Sequence, residues 1–185
     1  YEELQLETSA DGILKGFCNI NEDGVGEDNS HAAAIIYDYS VLAGSQGFFH
    51  HQKLDRICEK AEEFSLPVVI FTEGGGGRPG DTDVTTQIAG LHIPSFSTWA
   101  RLTGKCLKIA VNNGYCFAGN AVLFGCSDFM IATKQSWIGM AGPAMIEGGG
   151  LGVYDPKEIG PAEEQYKNGV LDYLAEDEKE ATFIA

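Results

Sequence analysis

The chain has 185 residues, enough for one domain with a substantial core and short for two. Hydrophobic residues make up 44% and charged residues 21%, which excludes an intrinsically disordered chain. A formal net charge of −15 argues against nucleic acid or an anionic membrane as partner, because both reward Lys and Arg, and it fits a soluble cytoplasmic protein.

No apolar run approaches the roughly 20 residues of a membrane span. The five cysteines form no C-x-x-C pair and no Cys/His spacing that suits a metal, so no metal site is expected. Cys58, Cys106, Cys116 and Cys126 sit in apolar surroundings and read as free buried thiols of a reducing compartment. The 24 glycines cluster in short runs without a collagen-like period, which points to loops where backbone approaches something closely. The chain opens on Tyr1 rather than Met, and its ends are expected to be cut from something longer.

The first expected strand covers 12–20, followed by a polar, turn-rich stretch over 21–30 and a second strand over 32–39. After the break at Gly44-Ser-Gln-Gly47, a helix is predicted over 48–64, with Leu54, Ile57, Cys58, Ala61 and Phe64 on one stripe. His50 and His51 open that helix and read as solvated or capping side chains. Pro67 ends the unit, and Val68-Val-Ile-Phe71 reads as a fully buried strand. A loop over 74–80, a helix over 94–102 and a core strand over 107–111 repeat the pattern. A glycine-containing turn then feeds a short helix over 118–124 and a strand over 129–132. A glycine-rich stretch (139–152), a helix over 160–167, a strand near 170–174 and an acidic final helix complete the chain. Strand–helix alternation with β-branched strands implies an α/β fold, a mostly parallel sheet with crossover helices in a single domain.

Two loops follow buried strands, the usual site position in such folds. Glu73-Gly-Gly-Gly-Gly-Arg-Pro-Gly-Asp81 bares a row of backbone N–H groups. Asn113-Gly-Tyr-Cys-Phe-Ala-Gly-Asn-Ala121 is a tight turn into a helix start, where N–H groups are again unpaired. Facing each other, the two would form a two-donor oxyanion hole; either one alone reads equally well as a tight turn. Competing motifs are weaker. Gly75-x-Gly77-x-x-Gly80 is interrupted by Pro79 and lacks the distal acid of a dinucleotide site. Gly104-Lys105 lacks the rest of a phosphate loop, and Gly125-Cys-Ser127 lacks the closing glycine of a nucleophile elbow. Asp81 and Asp83 read as turn-formers beside glycines.

The run from Asn113 through Asp128 to Ala132 resembles the second oxyanion-hole loop, helix and strand of the crotonase superfamily, whose members bind CoA thioesters and stabilise their enolates. Hydratases of that superfamily carry a catalytic Glu in this helix; the position here reads Val122, which points away from hydration. Further segments narrow the resemblance to biotin-dependent carboxyltransferases: 38–47, Glu73-Gly-Gly-Gly-Gly-Arg78, 142–152, Glu158-Ile-Gly-Pro161 and Asn168-Gly-Val-Leu-Asp172. The wording is nearest the branch in which the carboxyltransferase is fused to other carboxylase parts. Ala118-Gly119-Asn120 departs from the Ala-Gly-Gly of many relatives.

The resemblance implies a crotonase-like ββα spiral and the acyl-CoA-binding N-terminal half of a carboxyltransferase. Its partners would be the C-terminal carboxyltransferase half, the biotin carboxyl carrier and biotin carboxylase domains, in a homo-oligomer. The cofactor would be biotin, carried on another domain, and the substrate an acyl-CoA. It further implies that Gly75, Gly76, Gly77, Ala118 and Gly119 hold the thioester oxygen, with Gly74, Phe117 and Asn120 lining the substrate. Arg78 would meet the CoA phosphates or position the loop. Carboxybiotin would supply CO2 and take the α-proton, leaving no need for a protein base. A stand-alone crotonase-like decarboxylase or isomerase, or a non-catalytic scaffold, are the other readings.

Overall fold

The computed structural model describes residues 8–78 and 93–185. Six strands form one sheet in the order β1-β2-β3-β4-β6-β8: β1 (Ile13–Asn19), β2 (His31–Tyr37), β3 (Val68–Phe71), β4 (Lys108–Asn112), β6 (Phe129–Thr133) and β8 (Tyr173–Ala175). Only β1 runs antiparallel, pairing Ile13 with Tyr37; the other neighbours are parallel. The remaining two strands, β5 (Tyr115–Phe117) and β7 (Trp137–Gly139), pair in parallel as a separate ribbon. The helices are α1 (Glu22–Val25), α2 (Phe48–Phe64), α3 (Ser95–Arg101), α4 (Gly119–Gly125), α5 (Pro143–Gly148), α6 (Ala162–Lys167) and α7 (Glu178–Ile184).

Alternation along the strands sends Ile13, Ile35, Val68, Ile70 and Ala110 to one face, where they pack against Leu54 and Cys58 of α2, Trp99 of α3 and Leu123 of α4. Each fully buried aliphatic side chain there contributes roughly 1.5–3 kcal/mol. Val69, Val111 and Ile131 point to the opposite face and meet Ala181 of α7. Lys108 brings a charge into the interior: its Nζ donates to Cys126 O at 2.6 Å and Thr103 Oγ1 at 2.8 Å, and lies 5.6 Å from the centre of the Trp99 ring. A buried ammonium is tolerated only with partners of this kind.

The mostly parallel sheet with crossover helices matches the sequence expectation, as do β3 and the bounds of α2. α2 stops where Ser65 adopts a left-handed conformation and its N–H returns to Ala61 and Glu62 carbonyls, two residues before Pro67. Four expectations need correction. Phe64 is 57% exposed: as the last residue of α2 it lies edge-on to Phe17, which is itself exposed. His50 and His51 are buried, covered by the turn carrying Asp11 and by Ser95 of α3. Cys126 is exposed, since it follows α4 at the surface. The glycine-rich stretch holds α5, started by Pro143. Pro79, Gly80, Asp81 and Asp83 lie outside the described residues. No described helix is long and apolar enough to cross a membrane.

Candidate active site

β3 and β4 are adjacent and parallel, so the segments leaving their C-terminal ends emerge at the same edge of the sheet. The first runs from Thr72 to Arg78. The second makes the turn at Asn113-Gly114, returns as β5 and turns again at Ala118 into α4. The two are stitched together: Gly74 N–H donates to Tyr115 O at 2.7 Å and Phe117 N–H donates to Gly74 O at 2.8 Å. At the next step they touch. A Cβ on Gly76 would lie 2.6 Å from Ala118 Cβ and 3.3 Å from Gly119 N, so the close approach requires glycine there.

Most backbone donors at this junction are consumed internally. Gly75 N–H donates to Ala43 O at 3.0 Å, Gly76 N–H to Asn120 Oδ1 at 3.0 Å, and Ala118 N–H to Gly139 O at 3.1 Å. Two donors remain. Gln46 N–H donates to Gly76 O at 2.7 Å and Arg78 N–H donates to Gln46 O at 2.8 Å, a parallel bridge that turns the intervening Gly77 N–H away. Gly119 is the first residue of α4 and has no intrahelical partner. Among the described residues, neither Gly77 nor Gly119 donates its N–H to any acceptor. Between them sits Ala118, at φ 51 and ψ −119, a conformation L-residues rarely adopt. Such a residue costs about 1–3 kcal/mol and persists where its surroundings over-determine it, often at functional sites.

The other residues singled out from sequence divide by role. Asn120 is fully buried, and its amide bridges the loops: Oδ1 accepts from Gly76 N–H, while Nδ2 donates to Thr72 O at 3.2 Å and Gly44 O at 3.5 Å. Its polar atoms are therefore spent inside the protein rather than facing a substrate. Arg78 is held likewise: its guanidinium pairs with Asp11 and donates to Ser45 Oγ at 3.1 Å and Ser45 O at 2.9 Å, with only 9% of the side chain exposed. That geometry favours loop positioning over contact with CoA phosphates. Phe117 stacks on Tyr115 at 5.9 Å and packs against Gly142. Gly74 lies too close to Asn120 and Gly44 O to carry a side chain. Glu73 opens the loop with its carboxylate accepting from Asn113 N–H at 2.6 Å; burial pushes its pKa up, and that N–H opposes the rise.

Residues to which the sequence assigned no part in the site lie against it. Gln46, Tyr37 and His50 make a buried polar layer beside the first loop, with the half-buried Asp11 against it. Gln46 Nε2 donates to Tyr37 Oη at 3.0 Å, and the His50 ring lies 4.4 Å from that of Tyr37. Burial, with a smaller push from His51, lowers the His50 pKa to about 3, so the ring is neutral at ordinary pH. The one available signal was the Gly44-Ser-Gln-Gly47 break, whose polar residues precede a helix without capping it. Among the described residues no group of three or more His, Cys, Asp or Glu could hold a metal ion.

Residues 24–185 match the carboxyl transferase domain family. The chain belongs to that family. Carboxyltransferase relatives include the chloroplast acetyl-CoA carboxylase carboxyl transferase subunit beta of Angiopteris lygodiifolia, 30% identical over 86% of this chain and 51% of that protein. The methylmalonyl-CoA carboxyltransferase 12S subunit of Propionibacterium freudenreichii subsp. shermanii is 28% identical over 95% of the chain and 32% of its own length. Among solved carboxyltransferases, a single-chain, multi-domain long-chain acyl-CoA carboxylase superposes with a TM-score of 0.92 at 49% identity, covering 99% of this chain and 18% of that one. Transcarboxylase 12S superposes at 0.78 and 26% identity, over 94% and 32%. The fold is the crotonase-like carboxyltransferase fold. The chain spans about half or less of the length of these carboxyltransferases.

Proposed function

We propose that this chain is the acyl-CoA-binding half of a biotin-dependent acyl-CoA carboxyltransferase, and that Gly77 and Gly119 hold the thioester oxygen. The observation that carries the reading is that Gly77 and Gly119 N–H stay unspent on two touching turns, where Gly75, Gly76 and Ala118 N–H are committed within the protein. Two such donors aimed at one oxygen stabilise the negative charge that develops when the α-carbon loses its proton. They need no reorganisation, because Asn120 and Gln46 fix the turns that bear them. Ala118, at φ 51 and ψ −119, makes the strained turn from which Gly119 starts α4. When bound, carboxybiotin supplies the carboxyl group and a ureido nitrogen able to accept the α-proton. The donor set suits that division of labour: the chain offers charge stabilisation, while the carboxylate of Glu73 is turned to Asn113.

The test is ATP- and biotin-dependent carboxylation by the complete protein that carries this chain, with acetyl-, propionyl- and long-chain acyl-CoA esters. Carboxylation of at least one ester is expected, and the 185-residue chain alone, given free biotin, is expected to bind CoA esters without carboxylating them. If the complete protein carboxylates none of them, the reading is wrong.

A further inference from the structure

One residue touches both turns. The main chain of Gln46 brackets Gly77, accepting from Arg78 N–H and donating to Gly76 O. Its side chain runs the other way, with Nε2 on Tyr37 and Oε1 buried without a hydrogen-bond partner. That oxygen lies directly beneath Gly119. A Cβ on Gly119 would overlap Gln46 Oε1, and would come within 3.1 Å of Gln46 Cδ and of Phe96 Cζ. The obstacle to a side chain at 119 is the Gln46 carboxamide, tied to Tyr37, and not the backbone, because the φ of Gly119 lies outside the positive range that favours glycine. The missing side chain of Gly119 thus faces the protein interior.

A buried carbonyl oxygen without a donor is destabilising, so its place here calls for an explanation. Here the Cα–H of Gly119 is its neighbour, the weak polar contact that close backbone approaches provide. We propose that Gln46 is a positioning residue: it sets the gap between the Gly77 and Gly119 donors, and its carboxamide dictates glycine at 119. The proposal rests on the carboxyltransferase reading for its activity measurement, and on the fold alone for its stability measurement.

The experiment is a four-protein cycle in the complete protein: wild type, Gln46→Ala, Gly119→Ala and the double variant. Gly119→Ala is expected to lower kcat by about tenfold or more through donor displacement. Gln46→Ala should lower kcat by roughly threefold to tenfold with KM changed less than about twofold, since the donors act mainly as charge develops. Room made by Gln46→Ala should let the methyl added at position 119 settle, so the two losses should not multiply and the double variant should keep a kcat close to that of Gln46→Ala alone. Thermal unfolding of the four proteins needs no substrate and should show the same non-additivity, with the double variant more stable than Gly119→Ala. Should wild type carboxylate nothing while the unfolding cycle is non-additive, the positioning contact stands and the functional reading falls. Losses that simply add in both measurements, a harmless Gly119→Ala, or a double variant that folds no better than Gly119→Ala would each overturn the proposal.

Discussion

Replacing Asn120 by Ala strips the junction of its central clamp. The fully buried amide makes two well-formed hydrogen bonds, from Gly76 N–H at 3.0 Å and to Thr72 O at 3.2 Å, and a longer one to Gly44 O at 3.5 Å. The substitution leaves Gly76 N–H, which is itself buried, without an acceptor, at about 1–3 kcal/mol, and losing the Thr72 bond adds about 1 kcal/mol. A total of about 3 kcal/mol is expected. For 185 residues the unfolding entropy is about 0.4 kcal/mol per degree, so the melting temperature should fall by roughly 8 °C. Circular dichroism on the purified chain measures that fall, and amide hydrogen exchange locates it: Gly76 should lose protection while Ile70, in β3, keeps it. A melting temperature within about 1 °C of wild type, or an unchanged Gly76 exchange rate, would refute the clamp.

Gly44→Ala should destabilise by more than about 3 kcal/mol, because its Cβ would overlap Glu73 O and lie 2.8 Å from Gly74 Cα at a φ of 62. Gly77→Ala, with open space around its Cβ, should change stability by under about 0.5 kcal/mol; denaturant titration compares the two. His50 is neutral in the folded protein down to about pH 3 but protonates near 6.5 once unfolded, so its stabilising contribution is intact above pH 6.5 and is lost as pH falls. The loss should reach about 2 kcal/mol at about pH 5, and His50→Phe should flatten that slope in urea titrations between about pH 7 and 5. Arg78→Ala leaves Asp11 without its guanidinium and frees Ser45, so it should cost about 2–4 kcal/mol in the same titrations, whatever CoA ester is present.

The sheet was legible because its inner strands are short β-branched runs such as Val68–Phe71, and α2 because its apolar spacing holds along the helix. β5 and β7 were not, since each has three residues in turn-rich sequence and its strand partner lies about 20 residues away. The same distance effect hid the burial of His50 and His51: helix-start polarity suggests solvent, and the covering groups are 39 and 44 residues off. Both glycine-bearing turns were found from their position after core strands. Which N–H groups stay open was beyond the sequence, because the acceptors that consume the others belong to Ala43, Asn120 and Gly139. The Asn in place of a second glycine read as a local departure; in three dimensions it is the bond between the loops.

The internal hydrogen bonds around Gly77 and Gly119 also bear on how binding free energy divides. The two donors have no side chains to immobilise, and their backbones are already pinned by Gln46 and Asn120. Ligand capture at this junction therefore removes little conformational entropy from the protein, and the ordering cost falls on the flexible ligand. Changes made to the ligand's linker should then alter affinity through entropy, while changes to its carbonyl oxygen should alter it through enthalpy.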